Sequence, residues 1–163
     1  MFDRLKPLLF LFVLGLSGPA LAEGTSVAFG GLKADTTLPV EVKADSLAVD
    51  QATGEANFEG NVLVTQGAMT LSAAKIRVEY SKDGKKIAKL HASGKVTIVN
   101  QTDAAEAAEA VYTPDSGEVV MTGDVLLTQG QAAIRGQKLV IDLKSGTGRM
   151  VGGVTTTFVP GGN

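Results

Sequence analysis

His91 is the only histidine in this 163-residue sequence, and there is no cysteine or tryptophan, so few side chains can do covalent chemistry. A general base at His91 needs a nucleophile or carboxylate held beside it. The run Lys86–His91 offers none at a recognisable spacing, and His91 reads as a surface or edge histidine on a strand. The absence of thiols excludes disulfides, thiolate metal sites and cysteine nucleophiles. No Gly-x-Ser-x-Gly elbow occurs. Gly94 and Lys95 are followed by Val96, where a phosphate loop requires a hydroxyl. Asp45 and Asp50 flank a strand but lack the alternating oxygen ligands of a calcium loop, so Asp50 reads as turn chemistry. Carboxylates for glycoside hydrolysis can converge from distant positions, but no patterned cluster marks a polysaccharide-acting enzyme. The expectation is a protein with no catalytic residue, no metal and no cofactor.

What remains to be positioned is apolar surface. Strand-period alternation recurs at 40–43, 62–65, 76–80, 96–99 and 139–143, separated by turn chemistry at 50–54, 82–84, 114–117 and 144–146. An offset of 63 residues lays Gly54–Glu55 on Gly117–Glu118 and Gly60–Gly67 on Gly123–Gly130, with Thr-Gln-Gly identical in both copies. Weaker copies of the Gly-x-Val step stand at Gly94 and Gly152, giving glycine spacings of 34, 29 and 29 residues. This reads as strand–turn–strand units stacked along one axis. The alanine-rich stretch Asp103–Ala110 has helical propensity, but the repeat sets it opposite Val40–Leu47 and predicts a strand.

The amino terminus differs from the rest. Arg4 and Lys6 precede an apolar run over Pro7–Leu16, and Ala20 and Ala22 frame a small-x-small site. The run is shorter than the roughly 20 residues a membrane span needs. Residues 1–22 are therefore expected to be a signal peptide cleaved after Ala22, with the chain exported to a bacterial periplasm. Removing them takes two of fifteen cations and one of seventeen anions and leaves a net charge of −3, which gives no pull toward nucleic acid. Residues 23–38 are expected to be a flexible segment, 39–159 the folded domain, and 160–163 a tail.

Alternate side chains of a strand face opposite sides. The pattern therefore predicts an all-β single domain with one apolar and one polar sheet face, folded as a sandwich, jelly roll or flattened solenoid. The apolar face includes Val40, Val42, Phe58, Val62, Val64, Ile76, Val78, Ile98, Tyr112, Val125, Leu127 and Ile141. These face either a closed core or a cavity that takes an amphipathic ligand. With a closed core the protein is a structural β-solenoid scaffold that binds partners through its edge strands.

Three stretches carry a resemblance: Pro39–Leu47, Phe58–Gly67 with its Gly60-Asn61-Val62 step, and Leu71–Val78. Val120–Val125 repeats the theme. Together they resemble the OstA-like family of lipopolysaccharide-transport proteins over about Pro39 to Phe158, departing at Ala74, where the family more often has Asp. The resemblance implies an open β-jelly roll, V-shaped and twisted, of mostly antiparallel strands, whose interior holds the acyl chains of lipid A along the twelve residues named above. It implies head-to-tail homo-oligomers, with edges around Val40, Glu41 and Val42 at one end and Val154, Thr156 and Phe158 at the other. It also implies inner-membrane LptC-like and outer-membrane LptD-like partners, and an ATPase elsewhere that supplies the energy.

Overall fold

The computed structural model describes residues 25–28 and 30–158; the expected signal peptide and tail lie outside the described residues. The strands are β1 (Thr25–Ala28), β2 (Glu41–Lys43), β3 (Ser46–Asp50), β4 (Glu55–Gln66), β5 (Met69–Tyr80), β6 (Ile87–Asn100), β7 (Asp103–Thr113), β8 (Glu118–Gln129), β9 (Ala132–Asp142), β10 (Thr147–Val151) and β11 (Thr155–Phe158). All belong to one sheet of order β1-β10-β9-β8-β7-β6-β5-β4-β2, with β3 also beside β4 and β11 also beside β9. Every pairing is antiparallel. The expected all-β jelly roll with strands stacked along one axis is what the chain forms. The two opposed apolar faces, however, belong to one sheet folded on itself rather than to two sheets.

The fold line runs through the repeated glycines. Gly60, Gly94 and Gly123 mark β-bulges in the middles of long strands, and Gly152 stands between β10 and β11. Gly60 and Asn61, Gly94 and Lys95, Gly123 and Asp124, and Gly152 and Gly153 are four consecutive pairs with positive φ, the first glycine of each between 79° and 86°. In β4, Glu59 pairs with Lys75 and Val62 with Ala73, so Gly60 and Asn61 oppose Ala74 alone. The same slip recurs at Gly94 and Lys95 opposite Ala108, and at Gly123 and Asp124 opposite Gln137. An extra residue in one strand bends it and sharpens its twist, and glycine enters the left-handed region there at the least cost. Space acts in the same direction, because a Cβ built on Gly94 or Gly123 would lie 2.7 Å from the Cβ of Ala74 or Ala108. The first strand crosses the line at Asp45, between β2 and β3. Its backbone N–H donates to Gly60 O at 2.9 Å, and its carboxylate accepts from Asn61 Nδ2 at 2.8 Å.

The crease divides the sheet into two walls. The first contains β1, β3 and β10 and the turn-proximal halves of the long strands, joined by matching turns. Asp50 Oδ1 accepts from Ala52 and Thr53 N–H, and Asp142 Oδ1 from Lys144 and Ser145 N–H. A glycine then closes each turn, at Gly54 and Gly146. The second wall contains β2, β11 and the other halves. Asp103–Thr113 is a strand, as the repeat requires, because Ala105, Ala107 and Ala110 face the interior and their small side chains fit between larger neighbours. Burial of the shared face therefore overrides helical propensity.

Residues 25–28 and 30–38, in the segment expected to be flexible, are seated against the sheet. Thr25–Ala28 pairs with Thr147–Met150, and Leu32 is fully buried in the core. Ala34 N–H donates to Leu143 O at 2.9 Å. The bonds that seat the segment, to Gln66, Asn100 and Leu143, go to residues distant along the chain, which a local pattern does not record.

Ala at Gly123 meets both the positive φ and Ala108, whereas Ala at Gly54 meets positive φ with open space around it. Gly123→Ala is expected to cost about 2 kcal/mol or more and Gly54→Ala about 1 kcal/mol. Urea denaturation midpoints of the two variants check the order.

Candidate functional site

Strand register aligns the inward side chains in rows that cross the sheet. In the first wall, Leu47, Phe58, Ile76, Ala92, Ala110, Met121, Leu139 and Met150 are successive partners. A parallel row joins Val49, Ala56, Val78, Leu90, Tyr112, Val119 and Ile141. In the second wall, Val42, Val64, Leu71, Ile98, Ala105, Leu127 and Ile134 form the equivalent row, ending at Thr156. The in-register pairing of apolar side chains is what stabilises such a sheet.

The twelve residues named from alternation all belong to or adjoin these rows. Val62, Val64, Ile76, Val78, Ile98, Tyr112, Val125, Leu127 and Ile141 are at most 1% exposed and form one apolar cluster. Val40, Val42 and Phe58 are half-buried against it, at the β2–β3 end. The interior is filled by protein along the middle of the stack and exposed at the ends. Leu47 and Val49 are 55% and 62% exposed on β3, and Phe58 beside Leu47 is half-buried. At the opposite end Phe158 is 72% exposed on β11.

The residues expected to form oligomer edges have the following places in the sheet. Glu41 and Val42 lie in β2, which ends the sheet path, and Thr156 and Phe158 lie in β11, which pairs only with β9. Val40 and Val154 stand just outside those strands. Two further edges were missed. β3 lies beside β4 in the first wall, and β1 covers β10 at the other end of that wall.

Sequence reasoning also missed a polar belt along the mouth, opposite the crease. Gln66, Asn100 and Asp103 are buried at 1%, 1% and 5% exposure. They lie in one row with Gln129 at the ends of their strands. Gln129 Nε2 donates to Asp103 Oδ2 at 2.7 Å, and Tyr112 reaches across from the first wall to donate its hydroxyl proton to Gln66 Oε1. A buried polar group without a partner is costly, so each marks a place where something must be held. The signal was present in the identical Thr-Gln-Gly of both copies, but a repeat explains identity as readily as a site does.

The outer faces carry conventional surface chemistry. His91 Nε2 stands 2.8 Å from Glu79 Oε1, beside the pair Arg77–Glu55 at 2.6 Å. A hollow of about 770 Å³ follows the outer side of the crease, lined by charged and small residues including Lys95, Glu106, Ala108 and Asp124. Among the described residues no group of three or more His, Cys, Asp or Glu is placed to hold a metal.

These features define a single-sheet β-jelly roll with an apolar interior and strand edges at both ends of its stack. The family model described as LptA/(LptD N-terminal domain) LPS transport protein matches residues 41–147, and the chain belongs to that family. The lipopolysaccharide export system protein LptH of Pseudomonas aeruginosa is 28% identical over 153 residues, covering 88% of this chain and 86% of that protein. LptA of Escherichia coli K12, of the same description, is 29% identical over 141 residues, covering 77% and 74%. The crystal structure of the P. aeruginosa LptH, titled the LptA homologous periplasmic component of the lipopolysaccharide transport device, superposes with a TM-score of 0.69 at 20% identity. It covers 78% of this chain and 99% of that one, and shows the fold.

Burial pushes the Tyr112 hydroxyl up to about 12, opposed by its bond to Gln66. Folding therefore favours the neutral phenol. Its contribution is complete below about pH 10, where an unfolded tyrosine ionises, and is lost as pH rises toward about 12. The loss amounts to roughly 2–3 kcal/mol at full ionisation. Urea midpoints at pH 8 and pH 11 are expected to fall further for the wild type than for Tyr112→Phe.

Proposed function

We propose that this protein carries lipopolysaccharide through the periplasm, takes the acyl chains between its two walls, and catalyses no reaction. The observation that carries the reading is the set of continuous inward apolar rows. They run across the stacked strands and surface at one end on Leu47 and Val49, while the second-wall row ends at Thr156, beside the exposed Phe158 of the same strand. Membership of the family supports it, as do relatives named for lipopolysaccharide export. The physical need is plain: each acyl methylene kept out of water is worth about 0.8 kcal/mol. A multi-chain lipid requires a continuous apolar surface to cross an aqueous space. In this reading the apolar rows are the lining and the twelve residues predicted from alternation are contacts.

The exposed apolar side chains at the terminal strands favour the second half of the proposal. Edge strands invite pairing with another chain. Here Glu41 and Val42 at one end, and Thr156 and Phe158 at the other, join head-to-tail copies, an inner-membrane LptC-like protein and an outer-membrane LptD-like protein. Contacts between unlike ends generate open filaments rather than rings. The scaffold reading is favoured by one observation, the complete burial of Val64 and Ile141. It keeps the edge contacts and removes the lipid.

Photo-crosslinking side chains placed singly at 62–66 and 125–129, in purified protein mixed with lipopolysaccharide, separate the two. The carrier gives crosslinks at positions 62, 64, 125 and 127 and none at 63 or 126. Folded protein with no crosslink at any position leaves the scaffold. A second expectation concerns the ends. Leu47→Asp and Phe158→Asp should weaken self-association in sedimentation equilibrium while shifting stability by no more than about 0.5 kcal/mol, since both side chains are exposed.

A further inference from the structure

The mouth of the folded sheet is not empty. Leaving β1 at the far end of the first wall, the chain makes a single 3-10 turn at Gly30–Leu32 and then runs along the mouth to β2. Leu32 inserts into the core with no exposure. Gly31 lies directly on Asp103: a Cβ built there would be 2.5 Å from the carboxyl carbon. The strap's backbone carbonyls are taken up by the polar belt. Asn100 Nδ2 donates to Lys33 O at 2.7 Å, and Gln66 Nε2 donates to Thr36 O at 3.0 Å and Leu38 O at 2.8 Å. The strap makes one bond to the opposite wall, from Ala34 N–H to Leu143 O.

We infer that the strap Gly31–Leu38 is a displaceable internal occupant of the trough, standing where an acyl lipid joins its chains to its polar head, with Gln66 and Asn100 as the groups that exchange it. The inference rests on the carrier reading above and names its contacts at the mouth. Its chemical basis is that an acyl chain enters any lipid through an ester or amide carbonyl. The strap offers the belt the same pair of features, an apolar side chain directed inward and carbonyl oxygens at the rim. Asn100 Oδ1 adds an independent sign. It is buried and accepts no hydrogen bond in the structure, although its own amide nitrogen is satisfied by the strap. A buried acceptor left unpaired is unfavourable, and a ligand with an amide or hydroxyl donor near its carbonyls pairs it where the strap does not.

The mode of attachment suits release. Outside Leu32 the strap holds on mainly through main-chain hydrogen bonds to three positions, and Asp35, Thr37 and Leu38 are exposed. Segments held by few buried apolar contacts open locally, at a small fraction of the cost of global unfolding. Tyr112 is the remaining tie across the mouth, because it bonds Gln66 from the other wall.

The lack of cysteine makes the test clean. A Gly31→Cys/Asp103→Cys pair places two thiols where the strap touches the belt, and only that disulfide forms. Oxidised protein should bind purified lipopolysaccharide about tenfold or more weakly than the same protein reduced, because the competent open state is removed. The comparison is made within one variant, so the loss of the Asp103 carboxylate falls equally on both forms. Equal binding by the oxidised and reduced forms overturns the strap. Absence of binding even by the wild type overturns the carrier reading instead. The strap is then judged by hydrogen exchange of the wild type without any lipid. The Ala34 amide should exchange about a hundredfold or more faster than those of Leu71 and Ile98, by local opening. An Ala34 amide that exchanges only at the rate of these central strands overturns the proposal.

Discussion

Burial of one sheet face is the interaction on which the rest of this structure depends. Alternation makes that face apolar over every long strand, and a sheet so made must cover it. Two sheets could do so face to face. Here one sheet does it by bending along a line where Gly60, Gly94, Gly123 and Gly152 take the positive φ that a bulge requires. A side chain on Gly94, Gly123 or Gly152 would meet the Cβ of Ala74, Ala108 or Gln137 across the line. The crease is thus backbone geometry enforced by side-chain absence, and the core is its consequence.

The opposite side of the fold is governed by polarity rather than shape. Where strands end and the walls part, the rows finish in Gln66, Asn100, Asp103 and Gln129 instead of apolar residues. Such groups can be dehydrated only if they find partners, and the backbone of residues 33–38 supplies several of them. A trough whose floor is apolar and whose rim is made of amides matches a ligand with apolar chains and a polar attachment. It equally matches a peptide that mimics one. On the proposed carrier reading, the tension between a stable closed interior and the need to open falls at this rim, because the floor is continuous with the core and the rim is not.

The ends of the stack follow a third constraint. A sheet that never closes into a barrel has edges, and an edge left bare is a hazard. This chain covers one of its edges with its own β1, and leaves β3 and β11 carrying exposed apolar side chains. Exposed apolar residues on an open edge are consistent with a surface that other strands join, which is why the edge assignments and the lining assignments belong to one functional reading.

Much of this was legible in the residues. Period-2 alternation requires a strand with one apolar face whatever its neighbours, so the all-β class and the inward positions of Val62, Val64, Ile98, Leu127 and Ile141 were determined locally. The offset of 63 residues overrode helical propensity at Asp103–Ala110 because two copies of one unit must pair alike. Tertiary structure alone decided the rest. Whether Gly60 and Gly123 lie at turns or in mid-strand depends on which residue faces them across the sheet. Whether Thr25–Leu38 is loose or seated depends on carbonyls and amides more than sixty residues away along the chain, as for Lys33 and Asn100. Those are pairings at a distance, and a one-dimensional pattern carries no record of a partner that is not its neighbour.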